Sequence, residues 1–107
     1  MPPDAGAVPA ETPLSLAFHR CIDGLVYGYA LAGIRQGRPC WRRTDRPLIL
    51  SWTEQAGWVV SDEAGTILSR PWDVEKAAQG ALPPEGIWVS RKGDKSYVYV
   101  LHHDPAG

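Results

Sequence analysis

Apolar and polar side chains alternate along most of this chain with the two-residue period of strands that bury one face. The clearest runs lie in residues 47–62. Leu48, Leu50 and Trp52 alternate along one arm, Trp58 and Val60 along the other, and the polar tip Thr53-Glu54-Gln55-Ala56-Gly57 joins them. The pattern predicts a β-hairpin in which Gly57 supplies the positive φ of a short loop and two tryptophans face each other beside the turn.

The same reading extends to both sides. Leu14, Leu16 and Phe18 alternate with Ser15, Ala17 and His19. Asp23-Gly24 then predicts a two-residue type I′ turn, with Ile22 opposite Leu25 and Arg20 opposite Tyr27. Residues 25–32 form the return strand, with Tyr27, Tyr29 and Leu31 on one face, and residues 33–37 the next turn. Residues 38–43 read as a short strand near an edge, because Pro39 has no N–H to give a ladder. After the central hairpin, residues 66–69 return as a strand. Asp73 as N-cap, residues 74–79 and Gly80 at C′ predict one or two turns of helix. Residues 82–85 form a rigid connector and 86–91 a strand. Residues 96–102 form a last strand that is apolar on both faces, as a central strand would be.

Seven or eight short strands with turn signals every eight to twelve residues predict an all-β domain, an antiparallel sandwich or small open barrel with one short helix. The domain spans residues 14–102, after a Pro/Ala-rich unstructured leader at 1–13 and before a tail at 103–107. Gly28, Gly57 and Gly86 are equally spaced and each opens a hairpin-like unit, but the side chains that follow them match poorly. The spacing reads as a meander of similar hairpins.

With 107 residues and a net charge of −1, the chain suits one domain and has no overall charge to drive non-specific nucleic-acid binding. No apolar run reaches membrane-helix length, and the N-terminus lacks the basic and apolar regions of a secretory signal. The expected location is therefore cytoplasmic, with Cys21 and Cys40 free and at least partly buried. Aromatic usage is skewed to five Trp and four Tyr against one Phe, which favours half-exposed sheet faces and binding surfaces.

Arg35, Arg38, Arg42, Arg43 and Arg46 fall within twelve residues, around Trp41. Guanidinium groups hold carboxylate or phosphate bidentately, and an indole stacks on rings. Trp41 and Arg43 share one strand face, and Cys40 and Arg42 the other. If Cys40 is the buried side, Trp41, Arg43 and neighbouring Arg38 form a contact surface for an anionic or aromatic partner; if Trp41 faces the core and Cys40 the solvent, which hydrophobicity alone favours, that surface does not exist. Charges of this kind also protect edge strands. His19, Cys21, Cys40, His102 and His103 carry ligand atoms that zinc prefers, but no pair has zinc-site spacing, so no metal or other cofactor is expected. No nucleophile-elbow, zinc-protease or phosphate-loop motif is present. The reading is a non-catalytic binding or protein-interaction module for a protein or anionic ligand. An anion or single-stranded nucleic-acid binder through residues 35–46 is one alternative, and a small Cys/His enzyme pairing, for example, Cys40 with His102 is another.

Two resemblances bear on this. Leu82, Pro83, Gly86, Trp88, Gly93, Tyr97, Tyr99 and His102 resemble the front half of a WW domain. The extra Ile87, the separated tyrosines and the missing second Trp and Pro exclude that assignment. Tyr29, Gly37-Arg38-Pro39, Trp41, Leu50-Ser51-Trp52, Gly57-Trp58, Gly65, Pro71 and Trp88 are similar to small Trp-rich β modules with a Gly-Arg-Pro-x-aromatic signature. That resemblance implies a stand-alone structural or interaction module and carries no catalytic residue with it.

Overall fold

The strand alternation wraps into a barrel with no free edge. The computed structural model describes residues 12–72, 74–92 and 94–103. Its strands are β1 (Ser15–Arg20), β2 (Val26–Arg35), β3 (Arg38–Arg43), β4 (Ile49–Thr53), β5 (Gly57–Ser61), β6 (Ile67–Pro71), β7 (Gly86–Lys92) and β8 (Lys95–His103). Each is antiparallel to the next, and β8 pairs back onto β1 from Leu16↔His103 to Arg20↔Tyr99. The expected all-β antiparallel domain is therefore present, and its barrel is closed. Closure satisfies the ladder groups that an open sheet would leave at two edges. β3 consequently lies between β2 and β4 and is not an edge strand, and Pro39 is buried opposite Ile34.

Register follows local chemistry at the turns. Trp52 opposes Trp58 and Leu50 opposes Val60, as expected, with Gly57 at φ +79°. The β1–β2 connection differs from the expected two-residue turn. Phe18 opposes Tyr27, and Arg20 N–H donates to Leu25 O at 2.8 Å, so residues 21–24 all lie in the loop. The Asp23 carboxylate accepts from Leu25 N–H and pairs with Arg20, and only Gly24 takes positive φ, at +72°. This longer loop leaves Cys21 exposed, against expectation, whereas Cys40 is buried; both thiols are free. β2 also runs past the expected turn at 33–37. A bulge between Leu31 and Gly33 absorbs one residue, and Gln36 and Gly37 (φ 52° and 78°) make the turn.

The expected helix reduces to a single 3-10 turn, Lys76–Ala78, in the β6–β7 connection. Asp73, its expected cap, lies outside the described residues. Gln79 closes this segment by bonding outward, its Oε1 accepting from Trp58 N–H and its Nε2 donating to Val74 O. Residues 1–11 of the expected leader and 104–107 of the tail also lie outside the described residues. Thr12 and Pro13 are buried against the barrel, and His103 belongs to β8, so the packed unit is longer at both ends than expected.

A meander of this kind has two unlike ends. The chain entry at 12–14, the β2–β3 and β4–β5 turns and the long β6–β7 connection share one end. The β1–β2, β3–β4, β5–β6 and β7–β8 loops share the other. Trp41, Trp58 and Trp88 are fully buried in the core, with Trp52 beside them. Their indole N–H groups donate to Pro13 O (2.9 Å), Gly80 O (3.1 Å) and Pro84 O (2.9 Å), respectively. Each of these three indoles thus holds down a segment that crosses the first end, which is plugged. At the second end the interior opens.

Candidate functional site

Alternation carries inward-facing positions beyond the apolar core to the ends of the strands at the open end. There the inward residues include Arg20, Tyr27, Arg43, Ser69, Ser90 and Tyr99, in place of the tryptophans at the plugged end. They line a cavity of about 550 Å3 together with Phe18, Tyr29, Leu48, Val60 and Leu68, and with Asp45, Arg46 and Asp62 from the loops. Phe18, the single phenylalanine, forms the floor. Its ring meets Tyr29 and Trp88 edge-on at 5.2 Å and Tyr99 at 6.1 Å. The cavity bottom is therefore a cluster of aromatic rings packed edge to face.

The charged groups stand on the walls. The Arg43 guanidinium lies 4.2 Å from the centre of the Tyr27 ring and pairs bidentately with Asp45, at 2.5 Å and 3.2 Å. Arg20 reaches the same ring from 5.5 Å and pairs with Asp23 at 2.5 Å. These arginines hold the Asp23 and Asp45 carboxyls below their ordinary range. Burial pushes the Tyr29 phenol well above its usual value, so it stays neutral and can donate. Among the described residues the hydroxyls of Tyr29, Ser69 and Ser90 make no hydrogen bond to protein, and none of the three is sealed off. Ser90 and Tyr29 are nonetheless only 6% and 4% exposed, so their free hydrogen-bonding capacity is directed at the cavity.

The structure splits the arginine stretch. Trp41 is fully buried with its N–H on Pro13 O, so the expected solvent-facing surface around it does not form. Because Trp41 faces inward, Arg43 does too, and it emerges in the mouth. Arg38 sits at the plugged end, 3.9 Å over the Trp52 ring, and donates to Gly80 O at 2.9 Å. Arg42 is exposed on the outer wall, and Arg35 is exposed beside Cys40. Only Arg43 and Arg46 reach the cavity, so residues 35–46 present no single face to a nucleic-acid strand.

The other candidates also separate. Cys40 lies on β3, which does not border β8, and burial raises its thiol pKa. The His102 ring packs edge-on against His19 at 4.9 Å. His103 Nε2 lies 2.6 Å from Pro83 O. Cys40 and His102 therefore form no adjacent pair. Sequence reasoning missed Arg20, Tyr29, Tyr27, Tyr99, Ser69 and Ser90 as site residues. The available signal was a polar side chain at the inward phase of an otherwise apolar alternation, which Arg20, Arg43, Ser69 and Ser90 all show. Compared with protein-family models, with curated proteins and with solved structures, the chain matches none.

Proposed function

We propose that this chain is a non-catalytic binding module that takes a small ligand into the open mouth of its barrel. One observation carries the reading. The same interior that is filled by indoles at one end is left as an aromatic cavity with unpartnered hydroxyls at the other. The interior of an eight-stranded barrel is wide enough to be filled by side chains or to hold one small ligand. The cavity volume of about 550 Å3 falls in the range of small-molecule sites. A few fixed polar groups on aromatic walls are the usual composition of such a site. The lining has serine and tyrosine hydroxyls but neither histidine nor cysteine, which favours binding over nucleophilic chemistry. The likeness to small Trp-rich β modules implies a structural or interaction role and is compatible with binding. Its Gly37-Arg38-Pro39-x-Trp41 signature, however, lies at the plugged end and supports the fold instead of the mouth.

The test is a screen of small neutral and charged aromatic fragments against labelled protein, read by amide NMR shifts. Binders should move Tyr27, Arg43, Ser69, Ser90 and Tyr99. Ser90→Leu puts an apolar side chain into the cavity and should abolish those shifts while leaving thermal stability unchanged or higher. Fragments that bind only the outer wall, or that bind Ser90→Leu as well as the parent chain, would refute the mouth as the site.

A further inference from the structure

We infer that the mouth selects an aromatic oxyanion, and that Asp45 is a built-in competitor occupying the anion position until such a ligand arrives. This rests on the mouth being the ligand site. The two partners of the Arg43–Asp45 pair are held very differently. The Arg43 side chain is 14% exposed, whereas that of Asp45 is 60% exposed. Arg43 ends β3, opposite Tyr29, and its guanidinium is fixed over the Tyr27 ring. Asp45 belongs to the loop that follows, where its carboxylate is held chiefly by this arginine's guanidinium, with smaller help from its own backbone and the field of Arg46. The cation is therefore a fixture of the barrel, and the carboxylate is its movable partner.

A ligand carboxylate can form the same two-pronged contact that Asp45 makes, because guanidinium and carboxylate match in geometry. Displacing Asp45 costs little, since it returns to water and an ion pair so exposed on one side is weak. The ligand's flat body then lies against Tyr27, Tyr99 and Phe18. The hydroxyls of Ser69, Ser90 and Tyr29, at the deeper side, suit a polar substituent. Arg20 cannot replace Arg43 in this role, because its partner Asp23 is also tied to the loop backbone at Leu25 N–H. Arg46 contributes positive field at the rim.

The test uses naphthoate and the isosteric, uncharged naphthamide, titrated into the full chain at neutral pH and followed by amide shifts. Naphthoate should bind the mouth at least ~10-fold more tightly than naphthamide, as expected for one charge-assisted bidentate contact. Asp45→Asn lies in an exposed loop and removes the competitor, so it should tighten naphthoate several-fold and leave naphthamide unchanged. Arg43→Gln should erase the preference for the acid. Equal binding of the two probes in the mouth, or a preference that Asp45→Asn leaves unaltered, overturns the selection mechanism while the mouth remains a binding site. If neither probe shifts the mouth residues, the ligand-site reading fails with it.

Discussion

The two ends of this barrel are built on the same alternation of inward and outward residues, yet their interiors hold opposite contents. At the plugged end, large indoles occupy the inward positions and each buried N–H is taken by a carbonyl of a crossing segment. At the open end, the inward positions hold serine, tyrosine and arginine, and the two arginines are paired with carboxylates in loops. The contrast teaches how a small barrel divides its work. Apolar volume whose indole N–H groups are taken by carbonyls makes stability. Polar atoms left available above an aromatic floor are what the proposed site is made of.

The largest expected effect breaks the plugged end. Trp41→Ala removes a fully buried indole and should cost about 3–5 kcal/mol, measured by urea unfolding. Trp41→Phe retains most of the ring but leaves Pro13 O without its donor, and should cost about 1–3 kcal/mol. Tyr27→Ala at the open end empties a half-buried position next to an existing cavity and should cost clearly less than Trp41→Ala. Equal losses at Trp41 and Tyr27 would show that the mouth carries as much of the fold as the plug.

A pair of glycines sharpens the comparison at smaller scale. Gly57 and Gly24 have nearly the same φ, +79° and +72°, but sit at opposite ends. A Cβ at Gly24 would meet nothing within 4 Å, whereas one at Gly57 would come within 2.5 Å of Gln79 Oε1. That oxygen accepts the Trp58 N–H, so it cannot withdraw without loss. Gly24→Ala should therefore cost only the left-handed backbone penalty, roughly 1–2 kcal/mol. Gly57→Ala should cost that amount plus the displaced hydrogen bond, about 1 kcal/mol more. Matching losses would mean that Gln79 does not clamp the plug.

How much of this was legible in the sequence depended on whether the deciding chemistry was local. The Trp52–Trp58 hairpin was readable because alternation and Gly57 agree within a few residues. Closure was not, since it rests on β1 meeting β8 across the whole chain. The β1–β2 register was missed because Asp23 acts through its carboxylate, on Leu25 N–H and Arg20, while Asp-Gly in sequence reads as a backbone turn. The site was half legible. That Trp41 and Arg43 share a face followed from spacing alone. Which face is inward did not, because Cys40 on the other side is buried as well. Hydrophobicity alone favours Trp41 inward, but with Arg43 on the same face the choice stays open. A closed barrel settles it, since its interior can take Trp41 in the core and Arg43 one step further out, at the mouth.

The smallest expected effect concerns how the rim and the deeper side of the mouth answer to pH. Acid should act through the mouth. The Asp23 and Asp45 carboxyls lie below their ordinary value of 3.8 because Arg20 and Arg43 favour the charged form. Between the folded and unfolded pKa values the unfolded chain binds more protons, so stability from these pairs is present above that value and lost as pH falls through the folded pKa. Both pairs are exposed, so the loss is slight and salt should shrink it. Asp23→Asn with Asp45→Asn should flatten this acid limb. Alkali should act deeper, where burial raises the Tyr29 phenol above its ordinary 10.0. The unfolded chain then releases a proton that the folded chain keeps, and stability declines as pH rises past about 10. Tyr29→Phe should remove that part of the decline, whereas Asp45→Asn, which takes away only a minor contribution beside burial, should leave most of it. Urea midpoints measured across the pH range, for the parent and these variants, would decide it. A parent whose acid limb is untouched by the double substitution would show that these carboxylates are not tied to the mouth in solution, and that the anion position at Arg43 stands open without displacement.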